Sequence, residues 1–328
     1  MKPLTRRSAL TLALGATAGA AAMTCSARAQ AYPTRPVRIV VPWAPGGSTD
    51  ILARVVGEQL RQALGQPVIV ENRPGASGNI GSDVVAKAPP DGYNILFGSM
   101  STHAMNHALF SSMPFNGVDD FTPISLLAFV TNTMVINPAV PPRTVPEFIA
   151  YAKANPGKVA YASAGAGSTN HLCAALFEKM AGVQMVHVPY RGGAPAVLDT
   201  VAGQTQLLFS AGTQTLEHVK AGKLVLLAVT ERKRAALLPE IPTVAETIPG
   251  YDMAVWYGAF GPRGMAPELV SRLNGEINRI LVLPEVQKQM AGIGVEVVNA
   301  RPDELGATLR ADADKWGALI RELGIQGT

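Results

Sequence analysis

Short apolar runs alternate with amphipathic segments along most of the chain. The runs are rich in β-branched residues, which indicates buried strands, and the segments between them repeat apolar residues at helical spacing. Alternation of this kind predicts parallel sheets covered by helices, an α/β fold. The strands predicted for the first half are 37–42, 68–72 and 93–99, separated by helices at 50–63 and 79–87.

The same alternation begins again in the second half of the chain. Between the halves, LLAFVTNTMVINP (126–138) is too long for one ordinary strand and predicts a strand that crosses from one lobe to another, and AVWYGAFGP (254–262) is a second crossing candidate. A final helix is predicted over 302–323. The strands predicted for the second half are 159–165, 185–190 and 205–211, with helices at 169–181 and 194–202.

Two short motifs recur in the same order in both halves. Gly47-Ser48-Thr49-Asp50 matches Gly167-Ser168-Thr169-Asn170, and RPGA at 73–76 matches RGGA at 191–194, each between a strand and a helix. Ordered repeats indicate two lobes of similar topology. We predict a first lobe from 30–130 plus 252–328 and a second from 131–251, with equivalent loops facing a shared cleft at the carboxyl ends of the sheets.

The matched turns have the chemistry of an anion site. Gly46 and Gly47 in the first turn allow the backbone to approach a ligand closely, and Ser48 or Thr49 can cap the helix that follows. Free N–H groups at a helix start bind carboxylate or phosphate oxygens without a charged side chain. The alternative is an ordinary helix cap in a tight turn. The second turn offers the equivalent residues Gly165, Gly167, Ser168 and Thr169.

Further cleft candidates follow other predicted strands. Ser101 and Thr102 come after the third strand of the first lobe, and RPGASGNIG, with Gly78 and Asn79, is either a second ligand-facing turn or a plain loop. Trp43 is placed to cover an apolar part of a ligand. The arginines of the repeated turns, Arg73 and Arg191, either clamp a carboxylate or form ion pairs. Gly192 lies beside the second of them.

Several chemistries find little support in the sequence. The glycine turn lacks the lysine of a nucleotide phosphate loop. His103 and His107 are four residues apart, as some metal ligands are, but a third ligand is missing, so neither a metal nor another cofactor is expected. Ser168, His171 and Asp199 are the residue types of a serine hydrolase triad, but the chain has no GxSxG nucleophile elbow.

Residues 1–29 are typical of an export signal. Lys2, Arg6 and Arg7 precede an apolar run, and Ala27-Arg28-Ala29 predicts cleavage after Ala29. The pair of arginines resembles a twin-arginine signal but lacks the usual aromatic residue, so Tat and Sec export both stay open, and a lipid anchor at Cys25 is a poorer alternative. Without the four basic residues of this segment the remaining 24 Lys and Arg equal the 24 Asp and Glu, so the net charge of +4 gives no reason to expect nucleic acid as a partner.

The motifs together resemble the Bug-type substrate-binding proteins of tripartite tricarboxylate transporters. The resemblance spans the mature chain and includes VRIVVPWAPGGSTDILAR, VIVENRPGASGNIG, ASAGAGSTNHL, VPYRGGAPAVLD and WYGAFGPRGMAPE. It implies a two-lobed, type II-like periplasmic binding protein, a monomer that closes like a flytrap on a small carboxylate or related solute and presents it to membrane permease subunits. A receptor that feeds a sensor kinase is the alternative from another class.

The resemblance also points to the residues that hold the ligand. The implied loops are 43–50 and 164–170, whose backbone N–H groups would bind the ligand, with the turn at 191–193 nearby. One position departs from the family pattern, because many relatives carry Asp where this chain has Ser210. A neutral side chain there makes solutes with an ammonium group less expected than simple carboxylates.

Overall fold

The computed structural model describes residues 32–190 and 192–327, and the secondary structure divides into two sheets. The predicted export signal, 1–29, and Arg191 lie outside the described residues. None of the helices in the described part of the chain is long and apolar enough to cross a membrane.

The first sheet has six strands in the order β11-β4-β10-β3-β1-β2. β1 pairs in parallel with β2 and β3, whereas β10 is antiparallel to β3 and β4. The sheet is therefore mixed rather than purely parallel as predicted, because β10 arrives from the second half of the chain and runs antiparallel between β3 and β4. Its strands are β1 (Val37–Val41), β2 (Val68–Asn72), β3 (Asn94–Ser99), β4 (Phe121–Val130), β10 (Val255–Pro262) and β11 (Val295–Val297).

The second sheet repeats this arrangement with five strands in the order β7-β6-β8-β5-β9. β6 pairs in parallel with β7 and β8, and β5 is antiparallel to β8 and β9. Two sheets with the same order of parallel and antiparallel neighbours confirm the two-lobed α/β architecture. The strands are β5 (Asn132–Ile136), β6 (Ala160–Ser163), β7 (Val186–Pro189), β8 (Leu207–Ala211) and β9 (Val225–Val229).

The chain passes between the two sheets twice. The first passage is the predicted long segment, which divides at Thr131 into β4 of one sheet and β5 of the other. The second differs from the prediction, because β10 pairs with β3 and β4 of the first sheet. The chain returns to the first sheet through 230–254, where Met253 N–H donates to Thr230 O at 2.9 Å.

The helices lie close to their predicted positions. Three of them begin with proline, which loses no hydrogen bond at a first helical turn. Thr144 caps another by accepting a hydrogen bond from Glu147 N–H. The helices are α1 (Ser48–Leu64), α2 (Asn79–Ala86), α3 (Asn106–Leu109), α4 (Val145–Ala154), α5 (Thr169–Ala181), α6 (Gly193–Val201), α7 (Gly212–Lys220), α8 (Pro267–Leu281), α9 (Pro284–Ala291) and α10 (Pro302–Leu323).

Candidate functional site

A cavity of about 440 Å³ lies where loops after β1, β3, β6 and β8 meet. Its wall includes the starts of α1 and α5, the two helices that follow the repeated turns. The described wall residues include no Asp, Glu, Lys, Arg or His side chain. Hydroxyl groups, side-chain amides and backbone therefore supply the polar surface of the cavity.

The first repeated turn is held in shape by Asp50. This buried carboxylate accepts hydrogen bonds from Gly46 N–H at 2.9 Å and from Asn72 Nδ2 at 2.9 Å, and it pairs with Arg54. Burial alone raises the pKa of Asp50, but the hydrogen bonds from Arg54, Gly46 and Asn72 outweigh it, so the pKa lies below its ordinary value. Asp50 is thus occupied inside the loop and does not line the cavity.

The start of α1 leaves backbone donors at the cavity. Its first intrahelical hydrogen bond runs from Ile51 N–H to Gly47 O at 3.0 Å, so the N–H groups of Ser48 and Thr49 precede the helical ladder. Gly47, rather than Ser48 or Thr49, is the N-cap, and no side chain caps the helix. Ser48 instead places its Oγ 2.6 Å from the hydroxyl of Tyr257 on β10.

The second repeated turn is capped differently. Ser168 is the N-cap of α5; its Oγ accepts from His171 N–H at 3.3 Å and donates to Gly165 O at 2.7 Å. The predicted donor at Gly167 is occupied, because Gly167 N–H donates to His171 Nδ1 at 3.0 Å. The N–H groups of Thr169 and Asn170 precede the first helical bond, from Leu172 to Ser168. These two residues are the backbone donors that the second turn presents.

A stack of aromatic rings stands behind the second turn. The rings of His171 and His187 are 3.9 Å apart and nearly parallel, and Tyr161 stacks on His187 at 5.1 Å. Burial, followed by the neighbouring His187, lowers the pKa of His171 to about 4. His171 is therefore neutral at pH 7 and can accept the Gly167 hydrogen bond.

Trp43 and the 75–79 turn form another part of the first-lobe surface. Trp43 lines the cavity, whereas Gly78 and Asn79 do not. Gly78 has φ of +88°, and a Cβ there would lie 2.5 Å from Thr102 Cγ2 and 3.3 Å from the Trp43 ring. Glycine at this position therefore allows Trp43 and Thr102 to pack against the turn. Asn79 is buried and bonds Asn106.

The loop after β3 contributes hydroxyl groups. Ser99 and Ser101 line the cavity, with their Oγ atoms 2.9 Å apart. Thr102, also predicted as a cleft residue, is 1% exposed and lies behind them, where it bonds the backbone of Ser99. The predicted pair Ser101 and Thr102 is thus split between the surface of the cavity and its support.

The end of β8 adds a polar pair from the second sheet. Ser210 is buried, lines the cavity and donates from Oγ to Gln214 Oε1 at 2.8 Å. The side chain of Gln214 lies across Gly193, where a Cβ would be only 2.5 Å from Oε1. The absence of a side chain at Gly193 therefore gives Gln214 its place in the wall.

The predicted residues fall into two groups. Gly46, Asp50, Gly78, Asn79, Thr102 and Gly165 lie outside the cavity wall, although most of them shape its loops, and Arg191 is not among the described residues. The rest lie together in the wall. They are Trp43, Gly47, Ser48, Thr49, Ser101, Gly167, Ser168, Thr169, Gly192 and Ser210.

The family of the chain follows from comparison with known proteins. Residues 52–325 match the protein-family model described as the tripartite tricarboxylate transporter family receptor. The chain is a member of that receptor family. This receptor is 37% identical to protein BugT of Bordetella pertussis over 311 residues, which cover 94% of each chain.

Solved structures share the fold of the receptor over most of its length. R. palustris Rpa4515 with adipate has a TM-score of 0.80 and 35% identity, and the match covers 90% of the receptor and 99% of that chain. MatC from Rhodopseudomonas palustris with bound malate has a TM-score of 0.76 and 30% identity, with 88% and 100% covered. The two-lobed fold inferred from the sequence is confirmed by these similarities.

The cavity wall also contains residues that were not predicted from the sequence. Tyr257 and Val255 belong to β10, which had been assigned to a crossing, and Asn132 and Val130 flank the first crossing. Ala164, Asn170 and Gly193 were included only as the ends of predicted loops. A polar residue in the first turn of a helix after a strand is the signal that would have found Gln214. The other missed wall residues are Ser77, Ser99, Asn106 and Ala211.

The residues of the hydrolase and metal alternatives are engaged elsewhere. Ser168 Oγ donates to a backbone carbonyl and His171 Nδ1 accepts from Gly167, so the two side chains are not paired with each other. His103 is buried in the core, whereas His107 is exposed. Cys173 is a buried thiol whose pKa is raised by burial. No group of three metal-ligating side chains was found within 32–190 and 192–327.

Proposed function

We propose that this receptor binds a small carboxylate-containing solute in the 440 Å³ cavity and presents it to the permease of a tripartite tricarboxylate transporter. The observation that carries the proposal is the pair of helix starts, α1 and α5, at one cavity without a charged side chain in its described wall. Helix N-termini favour anions through their free N–H groups and the helix dipole. A carboxylate therefore gains partners that a cation would lack.

The solute class is narrowed by the cavity and by the relatives. Two of the solved structures hold the dicarboxylates adipate and malate. The cavity offers anion donors from both sheets and an apolar surface between them from Trp43, Val130 and Val255. These features favour a dicarboxylate whose two charged ends meet donors from different lobes.

Binding would act through closure of the lobes. In the proposed division, 30–130 plus 252–328 forms one lobe and 131–251 the other, with Thr131 and the 230–254 segment as the connections. The solute binds first to one lobe and the hinge brings the second set of donors onto it, so that affinity depends on the population of the closed state. The proposed contacts are the ten predicted residues in the wall together with Asn170 and Gln214.

The cellular setting follows from the N-terminal segment. We infer export by the signal at 1–29, cleavage after Ala29, and action as a monomer in the periplasm, with the permease subunits as partners. The protein would bind its solute without converting it. Neither a metal nor another cofactor enters the proposed binding reaction.

Ligand screening of the mature chain, residues 30–328, tests the proposal. Thermal shift and then calorimetry would compare adipate, malate, succinate and citrate with aspartate, glutamate and the neutral succinamide. We expect at least one di- or tricarboxylate to raise the melting temperature, because a ligand of the native state stabilises by mass action. The proposed site would be contradicted if succinamide stabilised the protein as strongly as succinate does. It would also be contradicted if none of the carboxylates raised the melting temperature. Ligand recovered unchanged would separate binding from turnover.

A further inference from the structure

His103 occupies an unusual place behind the ligand cavity. Its side chain is 1% exposed and stacks on Phe260, with ring centroids 3.9 Å apart and planes 13° from parallel. Gly98 makes room for the ring, and Gly117 makes room for the backbone of the same residue. A Cβ on Gly98 would lie 2.3 Å from His103 Cε1, and one on Gly117 would lie 2.5 Å from His103 O. The absence of a side chain at Gly98 therefore lets a ring occupy this position.

The hydrogen bonds around Thr102 fix the tautomer of that ring. Thr102 Oγ1 donates its single proton to Ser99 O at 2.9 Å and accepts from Ser99 N–H at 3.0 Å. His103 Nδ1 is 2.8 Å from the same oxygen. Because the hydroxyl has no second proton, Nδ1 must carry the hydrogen and donate it to Thr102. All three hydrogen bonds of the Thr102 hydroxyl are then assigned.

The other ring nitrogen, Nε2, indicates that the Nδ1–H donor is what favours histidine at this position. His103 Nε2 is buried and has no partner among the described residues, and an unsatisfied buried acceptor costs stability. Phenylalanine would stack on Phe260 without that cost. Burial, partly opposed by a hydrogen bond with the Ser99 backbone, lowers the pKa of His103 to about 3, so the ring stays neutral over the physiological range.

Thr102 passes this constraint to the cavity. It holds the N–H and the carbonyl of Ser99, and the Ser99 hydroxyl lies 2.9 Å from that of Ser101. Both serines line the cavity, within or beside a π-helical turn at 101–105. Turns of this type are frequent at functional sites.

We infer that His103 is a positioning residue, whose Nδ1–H fixes Thr102 and thereby holds the Ser99 and Ser101 hydroxyl groups in the geometry that binds the solute. The inference rests on the proposed function for its effect on affinity. The hydrogen-bonded chain itself exists without ligand. Its two ends can therefore be tested separately.

Four variants of the mature protein test the inference. His103→Phe keeps a stacking ring but removes the donor, and His103→Asn restores an N–H near the Nδ1 position. Thr102→Val removes the relay, and the fourth variant combines it with His103→Phe. Calorimetry with adipate and malate gives the affinities, and thermal melting identifies any variant that fails to fold.

We expect His103→Phe and Thr102→Val each to weaken binding about tenfold, the effect of one hydrogen bond. The double variant should be no weaker than either single one, because both interrupt the same chain. His103→Asn should recover most of the affinity even if its melting temperature stays low. Additive losses, or wild-type affinity in His103→Phe, would overturn the inference while leaving the proposed function intact.

Hydrogen exchange provides a test that needs no ligand. The Ser99 amide should exchange at least tenfold faster in His103→Phe and Thr102→Val than in the wild type and His103→Asn. Nitrogen NMR of the wild type should show the Nδ1–H tautomer. The Nε2–H tautomer or unchanged Ser99 exchange would reject the positioning role. If neither adipate nor malate binds the wild type, these measurements still decide it.

Discussion

Asn132 N–H donates a hydrogen bond of 2.8 Å to Glu231 Oε1 and so joins the two segments that connect the sheets. Asn132 opens β5 after the first passage, and Glu231 follows β9 at the start of the second. Glu231 Oε2 is buried without a partner among the described residues. Burial raises the pKa of Glu231 to about 7 despite hydrogen bonds from the backbone. A carboxyl group in the segments that connect the two sheets therefore has a pKa near neutral.

Replacing Glu231 with Gln should reduce the dependence of stability on pH. The folded carboxyl binds more protons than the unfolded one between pH 4.5 and about 7, so the free energy of unfolding falls as pH rises through this interval. The wild type should lose up to about 3 kcal/mol from this group between pH 4.5 and 8. Urea unfolding at pH 5 and 8 measures the difference, with Glu240→Gln on the exposed surface as control. A Glu231→Gln protein with the full wild-type difference would contradict the assignment.

The hydrogen bond from Gly167 to His171 predicts an opposite response at acid pH. His171 has a pKa of about 4 when folded and 6.5 as its ordinary value, so the unfolded chain binds more protons between these values. Stability from this group is therefore lost as pH falls from 6.5 to 4. His171→Asn, which retains an acceptor but cannot titrate, should lose less stability than the wild type between pH 7 and 4.5. His107→Asn, on the surface, should follow the wild type; equal losses in both variants would disprove the prediction.

A carboxylate placed at Gly47 should abolish binding without disturbing the fold. Gly47 has φ of −76°, and a Cβ there would meet only Ala44 O, at 3.9 Å. Gly47→Asp should weaken carboxylate binding at least 100-fold, since like charges in apposition cost several kcal/mol. Gly47→Asn has the same shape without the charge and should bind within about tenfold of the wild type. Calorimetry with adipate and malate compares the three proteins, and equal losses in both variants would point to steric blockage instead.

Two glycine-to-alanine substitutions should have opposite effects on stability. Gly98→Ala brings a methyl group to 2.3 Å from the His103 ring, and overpacking of this kind costs about 1–3 kcal/mol. Gly275 lies exposed inside α8, and no side chain or other element comes within 4 Å of an added Cβ, so Gly275→Ala should stabilise by up to about 1 kcal/mol. Denaturant unfolding measures both. A neutral Gly98→Ala would show that the ring has room to move.

Local patterns were sufficient to predict much of the fold. The final helix spans 302–323 in both the prediction and the structure, because proline starts it and Gly324 ends it. The repeated turns were found for the same reason, since glycine and a small polar residue before an amphipathic segment mark a helix start. The position of β10 was harder to predict, because both of its pairing partners, β3 and β4, are more than 120 residues away in the sequence.

Side-chain partners within the site were not predictable from spacing alone. Asp50 looked like a ligand contact, yet it fastens its own turn, and Thr102 is covered by Ser99 and Ser101. Tyr257 reaches Ser48 across more than 200 residues of chain. Such contacts depend on how the sheets and loops pack in three dimensions. The residue types in the turns indicated the chemistry, but only the packing separates lining residues from supporting ones.

The N–H groups at the starts of α1 and α5 belong to the main chain, which no single substitution other than proline can remove. In the proposed binding mode, duplicated copies of such a receptor could therefore exchange Ser210, Gln214 or Trp43 and acquire a new solute while the contact to its carboxylate is kept. Side chains of the cavity can change during evolution while these backbone donors stay the same. A neutral cavity built in this way favours diversification of the transported compound over loss of binding.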